Sequence, residues 1–350
     1  MDAMAEPGAA SDEPDGSMRP ADSGASGGRM RTVDPGASGG QMRPANSGVS
    51  GGVQPITADQ CIRTAFLNAC RLDVETPKPG NVSMDSEGHG MSAAQFIASA
   101  DAAAAALLAR GAPVGQRVLD AVTRTRAAVG CNTNLGILLL VAPLVAALEQ
   151  AERPLSAQAW QAATEQVLTR LDIDDARLAY RAIALANPGG LGDAPEQSVH
   201  DAPTVGLRDA MALAAARDSI ARQYAEGFRD IFETGLAALR ELPAASPRTM
   251  ALNVFLTFLG AWPDSHIVRK HGVAVAQSVT LAARARHAQW LRTLGEAGSA
   301  AAGVPLDAWD AELKAAAINP GTSADLTVAT LFVALCLDEP GHASGLRYAP

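Results

Sequence analysis

From Leu135 to Leu148 the chain runs through fourteen residues without a charge or a hydrogen-bonding side chain, directly after the polar triplet Asn132-Thr133-Asn134. A spanning helix needs roughly 20 apolar residues, so this segment is too short to cross a bilayer. It also has no polar side to turn toward water, so other elements must cover it all round. The run predicts a central core helix, bent by Pro143. Composition limits what can surround it: 48% of the 350 residues are hydrophobic but only 4% are aromatic, and alanine is abundant. Small side chains suit closely packed helices, whereas sandwiches and barrels draw on β-branched and aromatic residues. An all-α fold is expected.

Charge narrows the function. With 28 Lys+Arg against 37 Asp+Glu, a net charge of −9 and a pI near 5.2, the chain is poorly suited to phosphate-backbone or anionic-membrane binding as its main work. Cys61, Cys70, Cys131 and Cys336 are scattered and form no CxxC pair, which points to reduced thiols rather than a disulfide framework or zinc site. The N-terminus lacks the apolar stretch of a secretory signal, and Arg19, Arg29, Arg31 and Arg43 lie among glycines; the expected location is cytoplasmic.

Two regimes divide the chain. Residues 1–54 are Gly/Ser/Pro-rich and carry an imperfect 12-residue repeat, visible in Asp22, Asp34 and Asn46 and in Met18, Met30 and Met42. With no apolar face to stack, the repeat predicts a disordered low-complexity tail rather than a solenoid. Residues 55–340 show helical periodicity broken by Pro and Gly, and predict a single multi-helix bundle domain. Helices are expected from Thr57 or Asp59 to about Val74, from Ser92, from Pro113 to about Gly130, and after Asn132. Further ones are expected at about 156–170, 172–186, 206–225, 226–241, 247–262, 272–294, 306–316 and 323–336.

Five short polar segments interrupt this apolar body, and each has both a plain structural reading and a chemical one. Thr76-Pro77-Lys78-Pro79-Gly80-Asn81-Val82-Ser83, followed by His89, is either an interhelical loop or a rigid presentation of Lys78 and Asn81 to phosphate oxygens. Asn132-Thr133-Asn134 is either a strong helix cap or an anion or nucleotide-sugar site at a positive helix end. Asp172-Ile173-Asp174-Asp175 suits a first helical turn, and equally the one or two carboxylates that Mg²⁺ needs when it carries a triphosphate. Asp264-Ser265-His266-Ile267-Val268-Arg269-Lys270-His271-Gly272 reads as a cationic helix end or as a polyphosphate clamp in which His266 moves a proton. Asn319-Pro320-Gly321-Thr322-Ser323-Ala324-Asp325 reads as a cap, or as a helix start holding a general base or metal ligand.

Taken in this order, Lys-Pro-Gly-Asn-Val, Asn-Thr-Asn-Leu-Gly, the acidic helix start, Asp-Ser-His-Ile-Val-Arg-Lys-His-Gly and Asn-Pro-Gly-Thr-Ser-Ala-Asp-Leu resemble the triphosphoribosyl-dephospho-CoA synthase family over roughly residues 60–337. The resemblance implies an all-α pentosyltransferase that uses ATP as a ribosyl donor. The 2′-hydroxyl of 3′-dephospho-CoA attacks the anomeric carbon, adenine leaves, and the triphosphate travels with the ribose to a prosthetic-group precursor. An oxocarbenium-like transition state then calls for a base, an acid and a stabilising carboxylate. On this basis Asp174 and Asp175 are expected on Mg²⁺–triphosphate, and Lys78, Arg269 and Lys270 on phosphate. Asn81 is expected beside them, Asn132 and Asn134 on ribose or base, and His89, His266 or Asp325 in proton transfer. The expected partners are thus the small molecules ATP and 3′-dephospho-CoA, with no nucleic acid or membrane and a homo-oligomer left open.

Gly90, between His89 and Met91, departs from the citrate-lyase pattern, which carries an Asp there. The Lys-Pro-Gly-Asn-Val form is more similar to a branch associated with tetrahydromethanopterin-linked one-carbon metabolism. Competing readings are transfer to another acceptor such as a pterin-pathway intermediate, an N-glycoside hydrolase, and a helical nucleotide-binding protein without turnover.

Overall fold

The apolar run forms helix α4, Leu135–Leu148, with Leu138, Leu140, Val141, Ala142 and Leu144 fully buried and Pro143 inside it. The computed structural model describes residues 57–84, 91–151, 155–186, 201–297 and 306–337. The expected tail and its repeat lie outside these residues. Helices α1 (Ala58–Glu75), α2 (Ala93–Leu107) and α3 (Val114–Val129) precede α4. Thr57 and Ser92 cap α1 and α2 through reciprocal bonds with Gln60 and Gln95, and Gly130 closes α3 in a left-handed turn. Then come α5 (Ala157–Leu168), α6 (Ile173–Ala186), α7 (Leu207–Ala214) and α8 (Ser219–Ala225). A π-helix, Asp230–Gly235, leads into α9 (Leu236–Glu241). The rest are α10 (Pro247–Ala261), α11 (Ser265–His271), α12 (Val273–Ala297), α13 (Leu306–Ala315) and α14 (Gly321–Cys336). No strand occurs among the described residues, so the fold is all-α.

One expected helix, 206–225, is two. Asp218 turns its carboxylate back on the backbone N–H groups of Ile220 and Ala221, which starts α8 afresh instead of continuing α7. The second expected helix, 226–241, begins only after Gly227 and Phe228, both with positive φ, and its first turns widen into the π-helix.

Packing around α4 sets direction as well as burial. Gly136 of α4 meets Asp325 of α14, and further along Trp160 joins the two, donating Nε1–H to the Leu144 carbonyl while its ring meets Phe332 at 5.8 Å. Helices α4 and α14 therefore run parallel. In α8, Ile220 lies level with Gly136, and Tyr224 donates to the Leu139 carbonyl, so α8 shares that direction. Helix α1 runs against α14: Phe66 meets Phe332 edge-on at 6.4 Å, and its C-terminal end reaches Asp325. The consequence is that the C-terminus of α1 and the N-termini of α4, α8 and α14 open at one end of the bundle. A second apolar cluster, including Phe255, Ile267, Trp290 and Trp309, packs α10 to α13 together.

Phe332 is fully buried between Phe66 and Trp160. Phe332→Ala should cost about 3–5 kcal/mol, the usual range for removing a buried ring, read as a lower urea midpoint in equilibrium unfolding.

Candidate active site

The end of the bundle where these helices open is organised around a single carboxylate. Asp264 caps α11, its Oδ1 accepting from the backbone N–H of His266 at 2.9 Å and of Ile267 at 3.2 Å. Its Oδ2 accepts from the backbone N–H and the hydroxyl of Ser323, at 2.7 and 2.8 Å, in the first turn of α14. One buried side chain thus caps two helices. His266 is fixed by the same junction: its backbone N–H also reaches Thr322 Oγ1 at 3.2 Å, and its imidazole lies against Gly321.

Asp325, one turn into α14, faces α4. A Cβ at Gly136 would lie 2.0 Å from Asp325 Oδ2, so only glycine leaves room for the carboxyl there. Burial pushes the Asp325 carboxyl well above the usual carboxylate range, and Asp264, Asp73 and Asp218 push the same way against Arg269. Asp264 is also raised, because burial outweighs the donors from Ser323 and Ile267 and the charge of Arg269. Arg269 is engaged by Asp218, Nη1 to Oδ2 at 2.7 Å, while Lys270 beside it is exposed.

The Thr76–Ser83 loop packs onto the other end of this junction. Lys78 is 2% exposed, and its ammonium donates to the Asp73 and Thr76 carbonyls and pairs with Asp73 Oδ1 at 3.2 Å. Buried against these two carbonyls and the Asp73 carboxylate, the ammonium holds the turn after α1 and does not reach solvent. Burial pushes Asp73 up and Lys78 down, each opposed by the other's charge. Asn81 donates to Asn319 Oδ1 at 2.8 Å, and Gly80 N–H donates to Asp310 at 2.8 Å, locking the first polar segment onto the last.

At the start of α4 the three polar residues divide their work. Asn132 Oδ1 accepts from Leu135 N–H at 3.1 Å, and Thr133 donates to Ser99 at 2.5 Å, anchoring the turn to α2. Asn134 is 4% exposed and its Nδ2 has no hydrogen-bond partner. Both asparagines line a crevice against α3 and α6.

Four of the five segments therefore meet, and the acidic one does not. Asp175 Oδ1 accepts from Gly115 N–H at 2.7 Å at the start of α3, and Asp174, exposed, pairs with Arg177 at 2.6 Å. The crevice lies at the other end of the α3–α6 pair, where Arg126 bonds the Leu185 carbonyl. Ten residues of helix from Asp175 to Leu185 span about 15 Å. Each aspartate already has a structural partner, and no group of three or more metal-ligating side chains occurs among the described residues. The Asp174–Asp175 pair does not fit a resident Mg²⁺. His89 lies outside the described residues. The sequence reading also missed Asp73, Asp218 and Asp264 as parts of the site. Asp218 and Asp264 each read as a helix cap and Asp73 as part of the last turn of α1, and only tertiary packing brings them together.

The profile of the ATP:dephospho-CoA triphosphoribosyl transferase (CitG) family matches residues 59–343. A crystal structure of a proposed triphosphoribosyl-dephospho-CoA synthase from Archaeoglobus fulgidus superposes with a TM-score of 0.55 at 24% identity, covering 70% of this chain and 98% of that one. That likeness shows the fold. No curated protein matches the chain.

Two outcomes test the site's electrostatics. Because folded Asp325 holds its proton where the unfolded chain has lost it, stability should fall as pH rises from about 4 through the raised folded value. Asp325→Asn should flatten that part of the pH–stability profile and raise the urea midpoint at neutral pH. Lys78→Met alone should cost about 3–5 kcal/mol by stranding Asp73, and adding Asp73→Leu should restore most of it, both read by denaturant titration.

Proposed function

Because the chain belongs to the ATP:dephospho-CoA triphosphoribosyl transferase family, we propose that it transfers the 5-triphosphoribosyl group of ATP to the 2′-hydroxyl of 3′-dephospho-CoA and releases adenine. The bond formed joins the acceptor 2′-oxygen to the anomeric carbon of the ribose. The bond broken is the one from that carbon to adenine N9, and the proton lost by the hydroxyl is balanced by the one gained by adenine.

The observation that carries this reading is Asp325, a buried carboxyl whose proton affinity burial raises well above the usual carboxylate range and which is aimed across Gly136 at the start of α4. A base works best with a pKa near the operating pH, and an ordinary surface carboxylate is too weak a base for an alcohol. In its ionised form Asp325 takes the proton of the 2′-hydroxyl, and the negative charge it carries until that transfer favours the ribosyl carbon as it becomes cationic. His266, held against the first turn of α14, donates to the departing adenine. Asn132 and Asn134 hold the ATP side of the site. Mg²⁺ enters as part of the nucleotide substrate, carried by its phosphates. The carboxylate-rich junction around Asp325 disfavours phosphate oxygens, which keeps the triphosphate away from the base that attacks carbon.

The test is adenine release from MgATP by the purified protein, with and without 3′-dephospho-CoA, together with the mass of the CoA product. Adenine should appear only with acceptor, in step with a product heavier by one ribosyl triphosphate, and Asp325→Asn should lower kcat by 10²-fold or more, as loss of a general base does. Adenine without acceptor would make the protein a hydrolase. Release that requires a pterin-pathway intermediate instead would move the acceptor.

A further inference from the structure

The first turn of α4 separates two environments of opposite character. On the Gly136 side stand Asp325, Asp264, Asp218 and Asp73. On the other side, between α3 and α6, is the crevice whose eight lining residues include no acid, although the chain carries a net charge of −9. Three features there seek an electron-rich partner. The amide of Asn134 is 4% exposed and its Nδ2 donor has no acceptor, which is a costly state for a buried polar group unless a ligand supplies one. The positive end of a fourteen-residue helix opens beside it. Arg126, exposed at the rim, spends one of its N–H donors on the Leu185 carbonyl and keeps the others for a ligand.

We propose that this α3–α4–α6 crevice is the polyphosphate subsite of the nucleotide. Arg126 and Asn134 would donate to its oxygens, in place of the Arg269–Lys270 pair that the sequence suggested. Arg269 turns Nη1 to Asp218, with its Nε buried and without a protein partner, and it stands on the side of the acids, where a group bearing several negative charges is less favoured. This rests on the reading of ATP as substrate, and it adds Arg126 as a phosphate-binding residue. It also orders the substrates: the triphosphate lies to one side of the start of α4, the attacking hydroxyl to the other, and the ribose bridges across Gly136.

Cys131 lines the crevice and serves as a native reporter, with exposed Cys61 as the control in the same molecule and Cys70 and Cys336 buried. The experiment follows iodoacetamide alkylation of each cysteine by mass spectrometry in the full-length protein, with inorganic triphosphate as probe. Triphosphate should slow Cys131 several-fold and leave Cys61 unchanged. Arg126→Gln, on an exposed helix face, should abolish that protection and weaken ATP binding by about tenfold, as loss of a charged hydrogen bond does. The proposal is overturned if triphosphate leaves Cys131 unprotected, if adenine alone protects it, or if Lys270→Gln removes the protection while Arg126→Gln keeps it. Protection by triphosphate without any adenine release from ATP would keep the subsite and remove the transfer reaction. Acceptor-dependent triphosphoribosyl transfer without protection would do the reverse.

Discussion

The site hangs on a double cap. Every helix begins with backbone N–H groups that lack partners, and one side chain ordinarily serves one helix. Asp264 serves both α11 and α14 with its two oxygens, which fixes where α14 begins relative to α11. The rotation of α14 then decides that Asp325 faces Gly136 and that Gly321 leaves space for His266. Removing this carboxylate would leave donors on two helices buried without acceptors, so the arrangement tolerates little slack. Asp218 and Arg269 extend the same logic to α8, whose start is held to α11 by an ion pair and by the Ser219–Ser265 hydrogen bond.

Much of the architecture was legible in the chain because it follows from local rules. The uncharged stretch from Leu135 had to be central, the Ser92 and Thr57 caps fixed two helix starts, and Gly130 fixed an end. The break at Asp218 was hidden because apolar residues on both sides keep one helical phase, and only the turn of its carboxylate reveals the restart. The site was legible as a set of segments but not as a geometry. Residue type marked Lys78 as a phosphate ligand, whereas its loop folds back and buries the ammonium against Asp73 and the Thr76 carbonyl. The acidic start of α6 looked like a metal site and sits at the far end of a helix pair, where Asp175 completes the start of α3. A spacing pattern carries no information about which end of a bundle a segment will reach.

The buried carboxyls Asp73, Asp264 and Asp325 work against stability, since burial opposes the charge of each and neighbouring acids add repulsion at Asp325. Lys78 and Arg269 offset part of that cost, and the large apolar interior around α4 and α14 supplies the rest. A bundle built only for stability would place leucines at such positions.

The Asn81–Asn319 amide contact joins residues 238 positions apart, and with it the first polar segment meets the last. Pairings of such long range are among the slowest to form, because loop closure must be completed before the contact contributes anything. The reactive end of this protein therefore exists only after its body has closed head to tail. Until α14 has been synthesised the junction is absent, since α14 supplies Asp325 and the second half of the double cap. Activity in this fold is in effect a readout of complete synthesis, and fragments that pack well in the middle of the bundle would be inert by construction.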